Sequence, residues 1–131
     1  MSRPKPIEPR KLPPRVKAVF DDIKATRKVA DVNNFWKYLA RDPALLERTW
    51  ASIKAVMAPG ALDTLTKEML YLAVSVSNGC EYCIASHTAA ARKAGMSEAM
   101  FGELMAVVGM ANETNRLSEG YRVPVDAAYD K

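Results

Sequence analysis

The sequence predicts an all-α fold, and three features support this prediction. Apolar residues recur at helical spacing along most of the chain; Val16, Val19, Phe20 and Ile23, for example, stand at i, i+3, i+4 and i+7. Residues that cap or interrupt helices separate these periodic segments. No segment alternates convincingly between apolar and polar side chains, and no internal repeat is visible, so neither a sheet nor a solenoid is expected.

The first three helices are predicted from periodicity and from cap residues. Val16 to Ile23 form the buried face of the first helix, which begins after a proline-rich start. A short second helix covers about residues 32 to 40. Asp42 is a suitable N-cap, and Pro43 stands at the first helical position of a third helix. Pro59, followed by glycine, ends this helix.

A fourth helix begins after an N-cap at Asp63 or Thr64 and runs to about Ser77. Asn78 and Gly79 interrupt it, because an Asn-Gly pair favours a turn. The next helix starts within about two residues. So short a connection requires the fourth and fifth helices to run antiparallel, which predicts a central helical hairpin.

The fifth helix begins near Cys80 and ends at Gly95, a suitable residue for a left-handed C-terminal cap. Ser97 caps a sixth helix that runs to about Asn115. From Arg116 onward the sequence shows little periodicity, and we expect an extended C-terminal tail. The prediction is therefore a bundle of about six helices.

Length and composition indicate one globular domain of 131 residues, with 49% hydrophobic and 26% charged side chains. Residues 1–15 are predicted to form a flexible, proline-rich basic arm, and residues 16–131 a single helical domain with its tail. No apolar run is long enough for a membrane span, and the first residues lack the apolar region of a signal peptide. A cytoplasmic location without a membrane partner is therefore expected.

The formal net charge is +4, and its basic excess lies in the N-terminal arm. Proteins that bind nucleic acids usually cluster their basic residues on a folded face, so we expect no nucleic-acid partner. The fourth and sixth helices, which contain MLYLAVSV and AMFGELMAVVGMA, are apolar around most of their circumference. Such helices need cover on all sides, which predicts a homo-oligomer.

Cys80, Cys83 and His87 are the only cysteines and the only histidine of the chain, and they lie within eight positions. On a helix, the two cysteines share a face, with Cα atoms about 5 to 6 Å apart, a separation that suits a disulfide. His87 lies one turn beyond Cys83 on the same face. Because a helix N-terminus favours a thiolate, the pattern predicts an activated thiol.

Glu68 is the candidate partner of the imidazole. It lies about 15 Å from the interhelical turn, and His87 lies about 10 to 11 Å from it, so the two residues are roughly level across the hairpin. A carboxylate in this apolar segment is costly unless it is paired. From the spacing alone, a solvent-exposed Glu68 and a purely structural His87 remain open alternatives.

Zinc is the main rival to redox chemistry, because Glu68, Cys80, Cys83 and His87 supply the four ligands that Zn²⁺ takes. However, a second Cys-x-x-Cys pair or a Cys/His pair at zinc-finger spacing is missing, so no metal is predicted. Tyr82, between the cysteines, is interpreted as a packing residue or as the wall of a pocket.

The motif Glu68-x11-Cys80-x-x-Cys83-x3-His87 resembles that of the AhpD-like alkylhydroperoxidases in the carboxymuconolactone decarboxylase family. The match has no insertion, and the helical pattern over about residues 16 to 115 is also similar. The resemblance implies an AhpD-like helical bundle, with the Cys-x-x-Cys pair on its central hairpin.

This resemblance implies a thiol peroxidase used in antioxidant defence. Cys83 would be the peroxide-reactive thiol, Glu68 and His87 would form the relay that removes its proton, and Cys80 would resolve the sulfenic acid as a disulfide. The sequence contains no flavin, haem or nicotinamide motif, so no cofactor is expected. An external dithiol or thioredoxin-like reductant would supply the electrons.

The sequence departs from the resemblance in two respects. The well-studied AhpD proteins carry a histidine where Tyr82 stands, and they are longer. One-motif members often form hexamers built as trimers of dimers, which is the assembly that the resemblance implies. Two other functions stay open: a carboxymuconolactone decarboxylase-like lyase, whose relatives generally lack the cysteine pair, and a non-enzymatic redox-sensing oligomer.

Overall fold

A computed structural model describes residues 3–130 of the chain. All regular elements within these residues are helical, which confirms the predicted all-α class. The six α-helices are α1 (Pro14–Arg27), α2 (Asn34–Leu39), α3 (Pro43–Met57), α4 (Thr64–Asn78), α5 (Glu81–Lys93) and α6 (Glu98–Gly120). Two single-turn 3₁₀ helices, Pro9–Lys11 and Ala127–Tyr129, lie near the ends of the described segment. The chain divides into two compact units between Ala58 and Pro59.

The first unit is built around two tryptophans. Trp36 of α2 and Trp50 of α3 are 2% and 5% exposed, and their ring centroids lie 5.5 Å apart at an interplanar angle of 85°. This edge-to-face geometry is one that aromatic pairs prefer. Other buried side chains complete the core: Val16, Phe20, Ile23, Val32, Ala40 and Leu46. The predicted apolar face of the first helix therefore packs inward.

The segment before α1 also packs against this unit. Ile7 contacts the core, and its backbone N–H donates to the carbonyl of Lys37 over 2.9 Å. The sequence predicts no regular structure before about residue 14, yet a 3₁₀ turn forms at Pro9–Lys11. Proline is compatible with the first position of such a turn, because the amide it lacks has no partner there. The predicted boundary between an arm and a single domain near residue 15 stays a prediction.

The second unit contains the predicted hairpin. Gly79, in the left-handed conformation with φ 67°, ends α4, and Cys80 leads directly into α5. Helix α4 packs against both α5 and α6. Its central side chain, Leu72, is fully buried, and Ala91, Met96 and Leu104 complete the buried cluster. These contacts make α4 the central helix of this unit.

One predicted helix end is confirmed and one is wrong. The fifth helix ends at Lys93 with Ala94 as its C-cap, and Gly95 follows with a positive φ of 113°, as predicted for the glycine that ends this helix. The sixth helix continues past Asn115 to Gly120. The segment from Arg116 to Glu119 lacks apolar periodicity but also lacks any residue that interrupts a helix, so the helix continues to Gly120, with Tyr121 as its C-cap.

Several large apolar side chains of this unit stay exposed on the isolated chain. They include Leu70 and Val74 on α4, and Val107, Met110 and Leu117 on α6. This exposure fits the predicted homo-oligomer, which stays a prediction. In the described residues, no helix combines the length and the apolar character that crossing a bilayer requires.

Candidate functional site

Cys80 is the N-cap of α5 rather than part of the helix. Its backbone N–H donates to the carbonyl of Ser75 over 3.0 Å, which fixes the turn after α4. Its Sγ accepts a hydrogen bond of 3.3 Å from the backbone N–H of Cys83. The sulfur therefore takes the place that a serine or aspartate oxygen fills in most N-caps. The amide that donates to it belongs to the first turn of the helix.

The two cysteines form a disulfide within this first turn. The Cα atoms of Cys80 and Cys83 lie 5.2 Å apart, inside the range that disulfides require. Both residues are half-buried in the isolated chain. The spacing Cys-x-x-Cys therefore places both sulfurs at the N-terminal end of α5.

Glu68 of α4 and His87 of α5 lie side by side across the hairpin. Nδ1 of His87 is 2.7 Å from Oε2 of Glu68, and the two side chains are 17% and 15% exposed. An ionised carboxylate only accepts hydrogen bonds, so Nδ1 carries the proton and donates it. In the neutral ring, this tautomer leaves the basic lone pair on Nε2. The pair therefore has the arrangement of a base held by an orienting carboxylate.

His87 follows Cys83 by one helical turn on α5. Side chains four apart on a helix lie on the same face, so the imidazole and the Cys83 sulfur belong to one surface of the helix. The structure thus brings Glu68 to His87 and Cys80 to Cys83, as two pairs on one hairpin. The catalytic roles of the four residues stay predictions.

The four side chains considered as zinc ligands are joined in pairs, carboxylate with imidazole and sulfur with sulfur. Within residues 3–130, no group of three or more His, Cys, Asp or Glu side chains is placed to hold a metal ion. Tyr82 is 44% exposed on the isolated chain. Its predicted place in the wall of a pocket stays a prediction.

Tyr71 is a residue of this site that the sequence reasoning missed. Its ring stacks on the His87 imidazole, with centroids 3.5 Å apart and planes 18° from parallel. Tyr71 lies three residues after Glu68 on α4, and side chains at this spacing share a helix face. That spacing is the signal that could have found it, because a residue one turn from Glu68 faces the same neighbouring helix.

The comparisons with known proteins agree with this architecture. The family model of the carboxymuconolactone decarboxylase family matches residues 43–126. The crystal structure of the alkylhydroperoxidase AhpD core from Rhodospirillum rubrum is 51% identical, with a TM-score of 0.94, and the alignment covers 100% of this chain and 98% of that one.

The alkyl hydroperoxide reductase AhpD of Azorhizobium caulinodans is 36% identical in an alignment of 86 residues that covers 63% of this chain and 47% of the relative. The chain therefore spans about half the length of that curated relative.

Proposed function

Because the chain belongs to the carboxymuconolactone decarboxylase family, we propose that it is a peroxidase that reduces hydroperoxides through the Cys80–Cys83 pair. The observation that carries the proposal is the placement of this pair one helical turn from an imidazole already paired with a carboxylate. The names of the two relatives, alkylhydroperoxidase and alkyl hydroperoxide reductase, support the same reaction class.

The first step is activation of the Cys83 thiol. A free cysteine is only a few per cent thiolate at neutral pH, so a thiol peroxidase needs a base beside it. Nε2 of His87 accepts the thiol proton, and Glu68 at Nδ1 stabilises the imidazolium that results. The helix N-terminus around Cys83 favours the negative sulfur.

The thiolate then attacks one oxygen of the hydroperoxide. The S–O bond forms as the O–O bond breaks, which oxidises Cys83 to a sulfenic acid and reduces the peroxide. The departing alkoxide takes the proton from the His87 imidazolium and leaves as an alcohol. His87 therefore acts first as the base that removes the thiol proton and then as the acid that protonates the leaving oxygen.

Cys80 resolves the sulfenic acid. Its thiol attacks the Cys83 sulfur, the S–O bond breaks, and water leaves as the disulfide forms. An external dithiol then restores both thiols by exchange and becomes a disulfide itself. Each cycle converts one hydroperoxide and one dithiol into one alcohol, one water and one disulfide. The reductant belongs to the thioredoxin-like or small dithiol class.

This enzyme is proposed to act as a homo-oligomer in the cytoplasm. The exposed apolar side chains of α4 and α6 support self-association, because a second copy would remove them from water. A reducing compartment supports repeated opening of the disulfide. A hexamer built as a trimer of dimers is the assembly that the family resemblance favours.

The test compares Cys83→Ser with Cys80→Ser in peroxide consumption assays, with dithiothreitol as the reductant and tert-butyl hydroperoxide as the substrate. We expect Cys83→Ser to lose catalytic turnover, and Cys80→Ser to lose the resolving step that forms the intramolecular disulfide. Cys80→Ser still reacts once with peroxide and forms a sulfenic acid that dimedone traps, whereas Cys83→Ser does not. Turnover at the wild-type rate in Cys83→Ser would end the proposal. Conversion of a carboxylated lactone by the double serine variant would favour the lyase alternative.

A further inference from the structure

We propose that Tyr71 is a positioning residue for His87, which fixes the plane of the imidazole so that Nε2 keeps one direction. This inference rests on the proposed function, because it assigns Nε2 as the atom that exchanges the thiol proton. The observation behind it is the stacked contact, with ring centroids 3.5 Å apart and planes 18° from parallel. Tyr71 is not one of the specified residues of the Glu68-x11-Cys-x-x-Cys-x3-His motif.

One hydrogen bond does not fix an imidazole. The 2.7 Å contact between Glu68 and Nδ1 holds one point of the ring, and the ring can still turn about that contact. The terminal torsion of a histidine side chain has a broad minimum, so it resists such turning weakly. A ring stacked nearly parallel on one face blocks this rotation, because tilting would drive the imidazole edge into the phenol.

The two constraints on His87 come from one rigid helix. Glu68 and Tyr71 lie one turn apart on α4, so the carboxylate and the aromatic ring keep a fixed separation. Leu72, next to Tyr71, is fully buried in the core of this unit, and the Ser75 hydroxyl donates to the Tyr71 carbonyl over 2.7 Å. The surface against which the imidazole rests is therefore held by the packed centre of the unit.

Orientation has a large kinetic value in proton transfer. A misplacement of about 1 Å in a catalytic group costs about 100-fold in rate. Loss of the stack should therefore lower kcat without removing any group that reacts. The contact needs only an aromatic face, so phenylalanine should preserve it and leucine should not. The phenol oxygen has no part in the proposed role.

The experiment uses the fact that His87 is the only histidine, which gives the protein a single set of imidazole NMR resonances. In the wild type and in Tyr71→Phe, the ring current of the stacked aromatic should displace the imidazole C–H resonances. In Tyr71→Leu they should move toward their positions in an unstacked histidine. The same resonances in Tyr38→Leu, an exposed tyrosine of the first unit, should match the wild type.

The kinetic arm measures dithiol-dependent peroxide turnover in the same proteins. We expect kcat to fall by about 100-fold in Tyr71→Leu, to return to near the wild-type value in Tyr71→Phe, and to stay unchanged in Tyr38→Leu. If Tyr71→Leu fails to fold, as judged by circular dichroism, Tyr71→Met serves in its place, because it keeps a long apolar side chain without a ring.

The outcomes separate the role of Tyr71 from the proposed function. Unmoved imidazole resonances in the leucine or methionine variant would overturn the inference, and so would a phenylalanine variant as slow as the leucine variant. Wild-type turnover in Tyr71→Leu, with an active wild-type enzyme, would also overturn it. A wild-type protein without peroxidase activity would end the proposed function instead, and the NMR arm would then decide by itself whether the Tyr71 ring lies on the imidazole.

Discussion

Nδ1 of His87 lies 2.7 Å from Oε2 of Glu68, although the two residues are 19 positions apart in the chain. The contact joins the first half of α4 to the middle of α5, as the antiparallel arrangement of the two helices requires. Both side chains are mostly buried, so loss of either partner would leave the polar group of the other largely out of solvent and without this hydrogen bond. The carboxylate and the imidazole should therefore act as a unit.

Glu68→Gln should lower kcat for peroxide reduction by about tenfold or more, because the amide keeps the size of the carboxylate but cannot neutralise an imidazolium. Steady-state kinetics with tert-butyl hydroperoxide measure the effect. Glu103→Gln, an exposed glutamate on α6, is the matched control and should behave as the wild type. Equal kcat values in the two variants would separate Glu68 from the chemistry.

The combined variant Glu68→Gln/His87→Gln should be barely slower than His87→Gln alone. Removal of the base itself should cost about 10²- to 10⁴-fold, and the carboxylate has little to orient once the imidazole is gone. A double-mutant cycle on kcat therefore should show strong non-additivity. Additive losses would mean that the two residues act independently.

The protein isolated without reductant should contain no titratable thiol, and the protein treated with dithiothreitol should contain two. These are the two cysteines of the chain, which the structure joins. Denatured samples reacted with a thiol reagent give the count. Addition of one equivalent of hydroperoxide to the reduced protein should bring the count back to zero, whereas two remaining thiols would contradict a peroxide-driven disulfide.

Protonation of Asp22 in acid should lower the free energy of unfolding of the first unit. The Lys54 ammonium and then the Trp50 indole N–H, both hydrogen-bonded to Asp22, hold the pKa of this carboxyl below its ordinary value. A carboxyl whose pKa is lowered by folding stabilises the protein fully above its unfolded pKa, near 4. This contribution disappears as the pH falls through the folded value.

Asp22→Asn should therefore show a weaker loss of stability below about pH 4 than the wild type. Urea unfolding followed by tryptophan fluorescence reports this unit, because both tryptophans of the chain, Trp36 and Trp50, lie in it. Asp126→Asn, outside this unit, is the control. Identical acid profiles in the wild type and Asp22→Asn would refute the assignment.

Charged substitutions on α4 and α6 should reduce the size of the assembly. Val74 and Val107 are 59% and 58% exposed on the isolated chain, and a lysine at either position would make burial against a second copy costly. Sedimentation should show the Val74→Lys and Val107→Lys variants moving toward the 14.4 kDa of one chain. Val29→Lys, in the first unit, is the control. A wild-type protein that already sediments as one chain would contradict the predicted oligomer.

The predicted starts of the helices were more reliable than the predicted ends. Asp42, Asp63 and Ser97 each accept a hydrogen bond from a backbone N–H in the first turn of the helix that they precede. An N-cap is a contact within four residues, so the sequence contains all of its parts. The end at Gly95 is confirmed by the positive φ of that glycine, whereas the end near Asn115 was wrong, because a helix continues until its backbone loses a partner, and neighbouring packing affects where that happens.

The sequence by itself determined the class of fold and the helical hairpin. It also determined that Glu68 and His87 lie at similar distances from the interhelical turn. Helical rise per residue is constant, so two positions counted from one tight turn are placed by arithmetic. The contact between the Tyr71 ring and the imidazole could not be predicted in this way. Whether its ring lies flat on the imidazole depends on side-chain rotamers and on the separation of two packed helices, and neither quantity is encoded in spacing. The tertiary structure alone decided this contact, because stacking requires two rings from different helices to meet at one distance and one angle.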